Sequence, residues 1–365
     1  MVPFRQYHAY QLLKQLYTSP ISETDRVTYY FKQHRALGSK DRQWIRDLVF
    51  AIIRHRRFLE VLITQSRRQI SPETLVAQVE TGVLENVDSY HQIPWFVRYS
   101  ISDDLAQNLI QNYGEEKAEK LAKLWLTEAP ITIRVNTQKI SVNELQQKLE
   151  YPSFRGAVPE ALYFTKRFPL QSTQEFQQGM FEVQDENSQR VAQDIPITKK
   201  DVVLDFCAGA GGKSLIFAQK AKHLVLNDTR KTVLQEAKHR LLRAGARNFS
   251  LAGSHLRKGS FSVVVVDAPC SGCGVFRRHP EKKLQFSQKL LNNYIRVQRN
   301  ILKEAIPYVH AEGFLVYITC SLLKAENEEH ILYMRSQGWQ EVKKSFFPLE
   351  NGQGDAFFAA YFKKI

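Results

Sequence analysis

Cys270, in the run VVVVDAPCSGCG, and Cys320, in FLVYITCS, each follow a strand-like apolar stretch downstream of a glycine-rich turn, DFCAGAGGKS, that begins at Asp205. Carbon 5 of cytosine is a poor nucleophile. A thiolate added at carbon 6 turns the ring into an enamine-like species that can attack an electrophilic methyl group. The adduct must then be dismantled, so a nucleophilic sulfur, a neighbouring acid or base and a bound donor form the minimum set. These motifs offer candidates for all three, and their combination points to methylation of cytosine.

Each motif has competitors. In CAGAGGKS, Cys207 to Ser214, a phosphate-binding loop would need glycine where Cys207 stands, and a dinucleotide fingerprint would need its third glycine at Ser214. S-adenosylmethionine needs only a tight turn, an acid for the ribose hydroxyls and a pocket for the adenine. Asp228 is spaced to be that acid. A free cysteine is more often a small core residue than a nucleophile, yet Asp267, Pro269 and Ser271-Gly272 suit an active-site loop better than a core. Cys270 and Cys273 also form a C-x-x-C, but no second C-x-x-C or paired histidines complete a tetrahedral set, so no metal is expected.

The elements that would position these residues can be read from periodicity. From about Asp201, VVLDF, HLVLND, FSVVVVD and GFLVYIT are β-branched runs of the kind buried in a parallel sheet, alternating with helical stretches. Lys231 to Ala244 places Val233, Leu234, Ala237, Leu241 and Leu242 on one face and stops at Gly245. This is a doubly wound α/β domain, whose ligands gather at the carboxyl ends of the strands. Asp205, Asp228, Asp267 and Cys320 sit at or just beyond those ends, and Glu326-Asn327-Glu328 opens a following helix.

Upstream, Tyr10, Leu13, Leu16 and Tyr17, then Ile45, Leu48, Val49, Ile52 and Ile53, fall on helix faces, and Ser71-Pro72-Glu73 reads as a helix start. The middle segment has a helical stretch around Leu105 to Leu126, an alternating strand at Ile131 to Thr137 and a capping box at Ser141 to Glu144. The reading is multidomain: a helical bundle over 1–85, a small α+β unit over 86–170 and the α/β domain over 171–365.

Lysine and arginine number 51 against 37 acidic residues, a formal charge of +14, which favours a polyanion, RNA first among them. Only four cysteines occur, irregularly spaced, so no disulfide framework is expected. No apolar run approaches the ~20 residues of a membrane helix, and MVPFRQYHAY lacks the core of a secretory signal, so the expected location is cytoplasmic and the expected state a monomer.

The motifs together resemble the RNA cytosine-5 methyltransferase family of the Sun/nucleolar-protein group, and among its members the bacterial 16S ribosomal RNA type with an N-terminal NusB-like domain. The likeness rests on RVN at Arg134, FEVQDENSQ, DFCAGAGGKS, DAPCSGCGVFRRHPEKK, YITCSLLKAENEE and DAFFAAYF, with LGSKDRQWIRDLVFAIIRHRR resembling the NusB-like helices. The resemblance implies a Rossmann-like S-adenosylmethionine domain. It implies Cys320 as the thiolate that attacks carbon 6, Cys270 as the residue that helps release the product, and Asp267 on the N3/N4 edge of the base. It places the donor along Cys207, Ala208, Gly209, Ala210, Gly211, Gly212 and Lys213, with Asp228, Asp267 and Ser254. It places Arg134, Arg277, Arg278 and Lys283 near the RNA, whose target base must leave its stack. Ser254 stands where the family commonly carries an acid, and Leu284 where a tryptophan is common. The same catalytic motifs serve transfer RNA enzymes, and an assembly factor with a decayed site is the reading from another class.

Overall fold

The structure, a computed structural model, describes residues 3–18, 23–166, 168–253, 256–350 and 352–365. It divides into two compact units, residues 1–128 with 276–288, and residues 129–275 with 289–365.

The first unit is helical: α1 (Phe4–Thr18), α2 (Glu23–Gln33), α3 (Ser39–Arg54), α4 (Arg56–Gln65), α5 (Pro72–Glu80), α6 (Trp95–Arg98), α7 (Asp103–Tyr113) and α8 (Glu115–Leu124). α3 buries Ile45, Val49, Ile52 and Ile53 as its periodicity predicts, while α1 turns Ala9, Leu12 and Leu13 inward. Ser71 caps α5 through the Thr74 amide, with Pro72 at the first position, where its missing N–H costs nothing. The helices run on past the boundary expected at 85, and the all-α character is what the structure displays; a NusB-like arrangement is not established by it.

The second unit holds two sheets. In the smaller, β1 (Ile131–Val135), β2 (Ser153–Arg155), β3 (Ala161–Phe164) and β4 (Phe181–Val183) are ordered β2-β3-β1-β4 and all antiparallel, with α9 (Val142–Leu149) packed on them. Ser141 and Glu144 form the predicted capping box of α9. Because β4 pairs with β1, this sheet closes at residue 183, beyond the boundary expected at 170.

The larger sheet contains β5 (Val202–Asp205), β6 (His223–Leu226), β7 (Phe249–Leu251), β8 (Phe261–Asp267), β9 (Val309–Thr319), β10 (Trp339–Phe347) and β11 (Phe357–Lys364), ordered β10-β11-β9-β8-β5-β6-β7. β9, β8, β5, β6 and β7 are parallel, and β11 and β10 extend the sheet antiparallel. Alternate residues serve opposite cores. Val203, Val263, Val265, Val316 and Ile318 pack with α11 (Glu186–Gln193), α12 (Ser214–Lys220) and α13 (Lys231–Ala244), whereas Leu204, Val264, Val266, Leu315 and Tyr317 pack with α15 (Gln288–Ala305) and α16 (Glu328–Ser336); two short helices, α10 (Gln174–Gln177) and α14 (Lys282–Gln285), precede β4 and α15 in the chain. Burial on both faces explains why these strands read as unbroken apolar runs. α13 ends at Gly245 in the left-handed conformation, as predicted, although Leu242 is left exposed. Chain order runs from β5 outward to β7 and then returns to β8, so the topology reverses between β5 and β8, where doubly wound sheets open a crevice.

Candidate active site

The two cysteine loops leave adjacent parallel strands at the same level. Asp267, the last residue of β8, is in register with Ile318 of β9, and the Ala268 amide still donates to the Ile318 carbonyl at 2.9 Å. Pro269 then ends the pairing, since it has no N–H to donate. As a result the Sγ atoms of Cys270 and Cys320, 50 residues apart in sequence, lie 3.4 Å apart, and both residues are only partly buried. The four cysteines are all free thiols.

Across the topological reversal, the turn after β5 brings Lys213 to the foot of α12. Its Nζ donates to Asp267 Oδ2 at 2.6 Å and lies 4.8 Å from the Phe357 ring centre. Burial works against the ammonium, but Asp267, Cys320 and Asp205 more than offset it and raise its pKa. Lys213 is thereby a dependable cation beside the Cys320 sulfur. Cys270 is driven the other way: its hydrogen bond to Cys320, then burial, then the charges of Cys320 and Glu326 hold it well above the usual thiol range. Cys270 is thereby kept as a thiol.

The donor residues also converge. Asp205 ends β5 with Oδ2 accepting from Ser214 Oγ at 2.6 Å, while its buried Oδ1 has no hydrogen-bond partner. Asp228, just past β6, accepts from the Gly209 amide at 2.9 Å and from Arg230. Ala208 is tied to Asn227 through its N–H at 2.9 Å, and Ala210 offers its carbonyl to Arg240 at 2.8 Å. Gly211, at φ +79°, backs onto α13, where an added Cβ would lie 3.0 Å from Ala237. Gly212 faces open space. Cys207 is packed beneath the turn, and burial, then Asp205, Asp267 and Asp228, push its thiol up, so it is a packing residue and not a nucleophile. An open glycine shelf, an orphaned acceptor and an acid at the end of β6 fit an S-adenosyl donor. Ser254 lies outside the described residues.

One part of the site was missed by sequence reasoning. Glu326, fully buried, accepts from the Ser271 amide at 2.8 Å, Ser321 Oγ at 2.6 Å and Gln298 Nε2 at 2.9 Å, and also from Ser271 Oγ. The signal was present in YITCSLLKAENEE, an acid six residues after Cys320, but nothing local told it from a solvated helix start.

The expected RNA-facing residues differ from one another. Arg134 is 3% exposed in β1, its Nε donating to Gln184 Oε1 at 2.9 Å, so it braces the small sheet instead of facing solvent. Arg277 and Lys283 belong to the first unit and are likewise buried, and Lys283 Nζ donates to the Arg54 and Tyr99 carbonyls at 2.9 and 3.1 Å. Burial, then the charge of Arg54, lowers its pKa to about 7. All three side chains are buried and not on an open RNA-facing surface, and Arg134 and Lys283 are engaged by partners inside the fold. Arg278 alone of the four is only partly buried. No group of three or more His, Cys, Asp or Glu among the described residues could hold a metal.

Comparison with known proteins adds an independent line. A family model described as 16S rRNA methyltransferase RsmB/F matches residues 194–363, and a second, described as the ferredoxin-like domain of the RsmF/B-like methyltransferases, matches residues 103–171. The chain is 28% identical over 350 residues to the probable ribosomal RNA small subunit methyltransferase B of Bacillus subtilis, covering 88% of this chain and 78% of that protein. It is 28% identical over 248 residues to the 28S rRNA (cytosine-C(5))-methyltransferase of Mus musculus, covering 63% of this chain and 31% of that protein. Among solved structures, NSun6 from Pyrococcus horikoshii with SFG, an S-adenosylmethionine analogue, superimposes with a TM-score of 0.65 at 20% identity, over 72% of this chain and 98% of that one, a likeness of fold.

Proposed function

We propose that this chain, like the RsmB/F methyltransferases whose family models it matches, is an S-adenosylmethionine-dependent RNA methyltransferase that forms 5-methylcytidine in 16S ribosomal RNA, in the cytoplasm, through a covalent cysteine adduct. The observation that carries the reading is the pair of sulfurs 3.4 Å apart beside the Lys213–Asp267 ion pair. The mouse relative's cytosine-C5 activity supports the chemistry, and the small-subunit relatives support the substrate.

Cys207 to Lys213, Asp228 and Asp267 would hold S-adenosylmethionine, with Asp205 and Ser214 supporting the turn; when bound, the donor supplies an electrophilic methyl group. Cys320 adds as a thiolate to carbon 6 of a flipped cytosine, and this makes carbon 5 nucleophilic. Asp267 meets the N3/N4 edge of the ring and holds it in place. Once carbon 5 carries both methyl and proton, that proton passes to a solvent base, the carbon 6–sulfur bond breaks, and Cys320 leaves as thiolate, a release that the Cys270 thiol beside it assists.

Two variants test these roles. Cys270→Ala should accumulate a covalent enzyme–RNA complex on a denaturing gel, and Cys320→Ala should form none; an adduct with Cys320→Ala would reverse the assignment. Transfer of labelled methyl to separated ribosomal and transfer RNA from cells lacking the protein should place 5-methylcytidine in the small-subunit RNA. Label in transfer RNA would leave the chemistry standing and overturn the substrate.

A further inference from the structure

Glu326 stands outside every role derived so far, yet it is the most heavily engaged buried carboxylate of the second unit's catalytic end. One of its oxygens accepts from the Ser271 main-chain N–H and from Gln298 Nε2, and the other from the hydroxyls of Ser271 and Ser321. Ser271 follows Cys270 directly and Ser321 follows Cys320 directly. A single carboxylate therefore spans the loops that carry both sulfurs, and Gln298, whose Nε2 also donates to the Pro269 carbonyl at 3.0 Å, ties the same carboxylate to the residue before Cys270. The main chain of Glu326 is pinned in turn by Tyr317 Oη at 2.8 Å, and Asn327 beside it bonds Thr319 Oγ1 and the Ser321 carbonyl. Four donors on one wholly buried acid leave it no freedom to turn away.

We propose that Glu326 is a positioning residue: it staples the Cys270 loop to the Cys320 loop and sets the separation of the two sulfurs. The proposal rests on the reading that both cysteines take part in methyl transfer. The carboxylate also acts electrostatically: after burial, its charge helps push up Cys273, Tyr294 and Tyr317, all buried or partly buried. Lys213 interacts electrostatically with Cys320. Cys270 thus feels its sulfur partner and a carboxylate, and Cys320 its sulfur partner and an ammonium.

The test uses the full chain carrying Glu326→Gln, which keeps the shape and removes the charge. Far-ultraviolet circular dichroism reports folding, and alkylation of Cys270 and Cys320 by iodoacetamide across pH 6–10, followed by peptide mass spectrometry, reports the thiols without any need for turnover. In the folded variant the Cys270 alkylation profile should move to lower pH by about one unit, the scale of losing one nearby buried charge. Methyl-transfer kcat should fall by about 10-fold or more while KM for S-adenosylmethionine stays within about 3-fold, the pattern of a group that acts at the reacting centre and not in donor binding. A folded variant with an unmoved Cys270 profile and kcat within about 2-fold of wild type would overturn the proposal. If Glu326→Gln does not fold, Ser271→Ala and Ser321→Ala each cut one tie, and full kcat in both would overturn it equally. If the wild-type protein methylates no RNA, the proposed function fails on its own, and the alkylation profile still decides the role of Glu326.

Discussion

Asp205 has a pH signature that can be read on the folded protein alone. Burial, opposed by Ser214 and Lys213 and reinforced by the charges of Asp267 and Asp228, pushes its carboxyl up to about 7. An unfolded aspartate loses its proton near pH 4, so between about 4 and 7 the folded chain holds a proton that the unfolded chain has released. The stabilisation is present in full below the unfolded value and is lost as pH rises through about 7. Asp205→Asn is neutral throughout and keeps an acceptor for Ser214. Relative to wild type, its melting temperature should therefore climb between pH 5 and pH 8; a constant difference across that range would show that Asp205 ionises as an ordinary carboxylate. Lys213 differs because it finds an opposite charge at 2.6 Å, whereas Asp205 has only a hydroxyl.

Among the elements, the turn at Gly274 carries the tightest constraint on the site. Its N–H donates to the Cys320 carbonyl at 2.9 Å, and its carbonyl accepts from the Ala356 N–H at 3.1 Å, so it stitches the C-x-x-C loop to the end of β9 and the start of β11. A Cβ at this position would lie 2.6 Å from the Ala356 oxygen and 2.7 Å from the Cys320 oxygen, both main-chain atoms that cannot swing aside. Gly274→Ala should cost about 1–3 kcal/mol, the usual scale of overpacking, and should lower methyl transfer by moving Cys320. Gly38→Ala, whose Cβ would meet only Asp41 Oδ2 at 3.8 Å, is the control. Equal thermal stability of the two variants in chemical or heat denaturation would mean that the Gly274 turn yields more easily than its packing indicates.

At the scale of the whole molecule, a formal charge of +14 should dominate association with RNA. Arg134, Arg277 and Lys283 are buried, so the attraction must come from the exposed lysines and arginines. With about five phosphates neutralised on single-stranded RNA, affinity should drop by roughly 100-fold between 50 and 200 mM salt. A filter-binding or anisotropy titration measures this directly. A nearly flat dependence would mean that the surface charge does not face the nucleic acid. No helix among the described residues is long and apolar enough to cross a membrane.

The doubly wound sheet, the glycine turn and the two cysteine loops were legible in the chain because each has a local cause: β-branched runs for strands buried on both faces, small residues where backbone must bend, and Gly245 where α13 stops. The helix start at Ser71 and the capping box at Ser141 were legible for the same reason. β7, β10 and β11 were not assigned, since β7 spans three residues and the β10–β11 pair takes its partners from β9, far away in sequence. The fate of individual charges was hidden too. Nothing in RHPEKK distinguishes a solvated lysine from Lys283 with its ammonium on two carbonyls, and nothing in KAENEE marks Glu326 as the acid between two loops. Residue type and spacing determined which chemistry was available. Only the tertiary structure decided which groups stand at 3.4 Å, which charges are buried and which acid holds the loops, because burial and electrostatic partnership arise from contacts between segments that periodicity cannot pair.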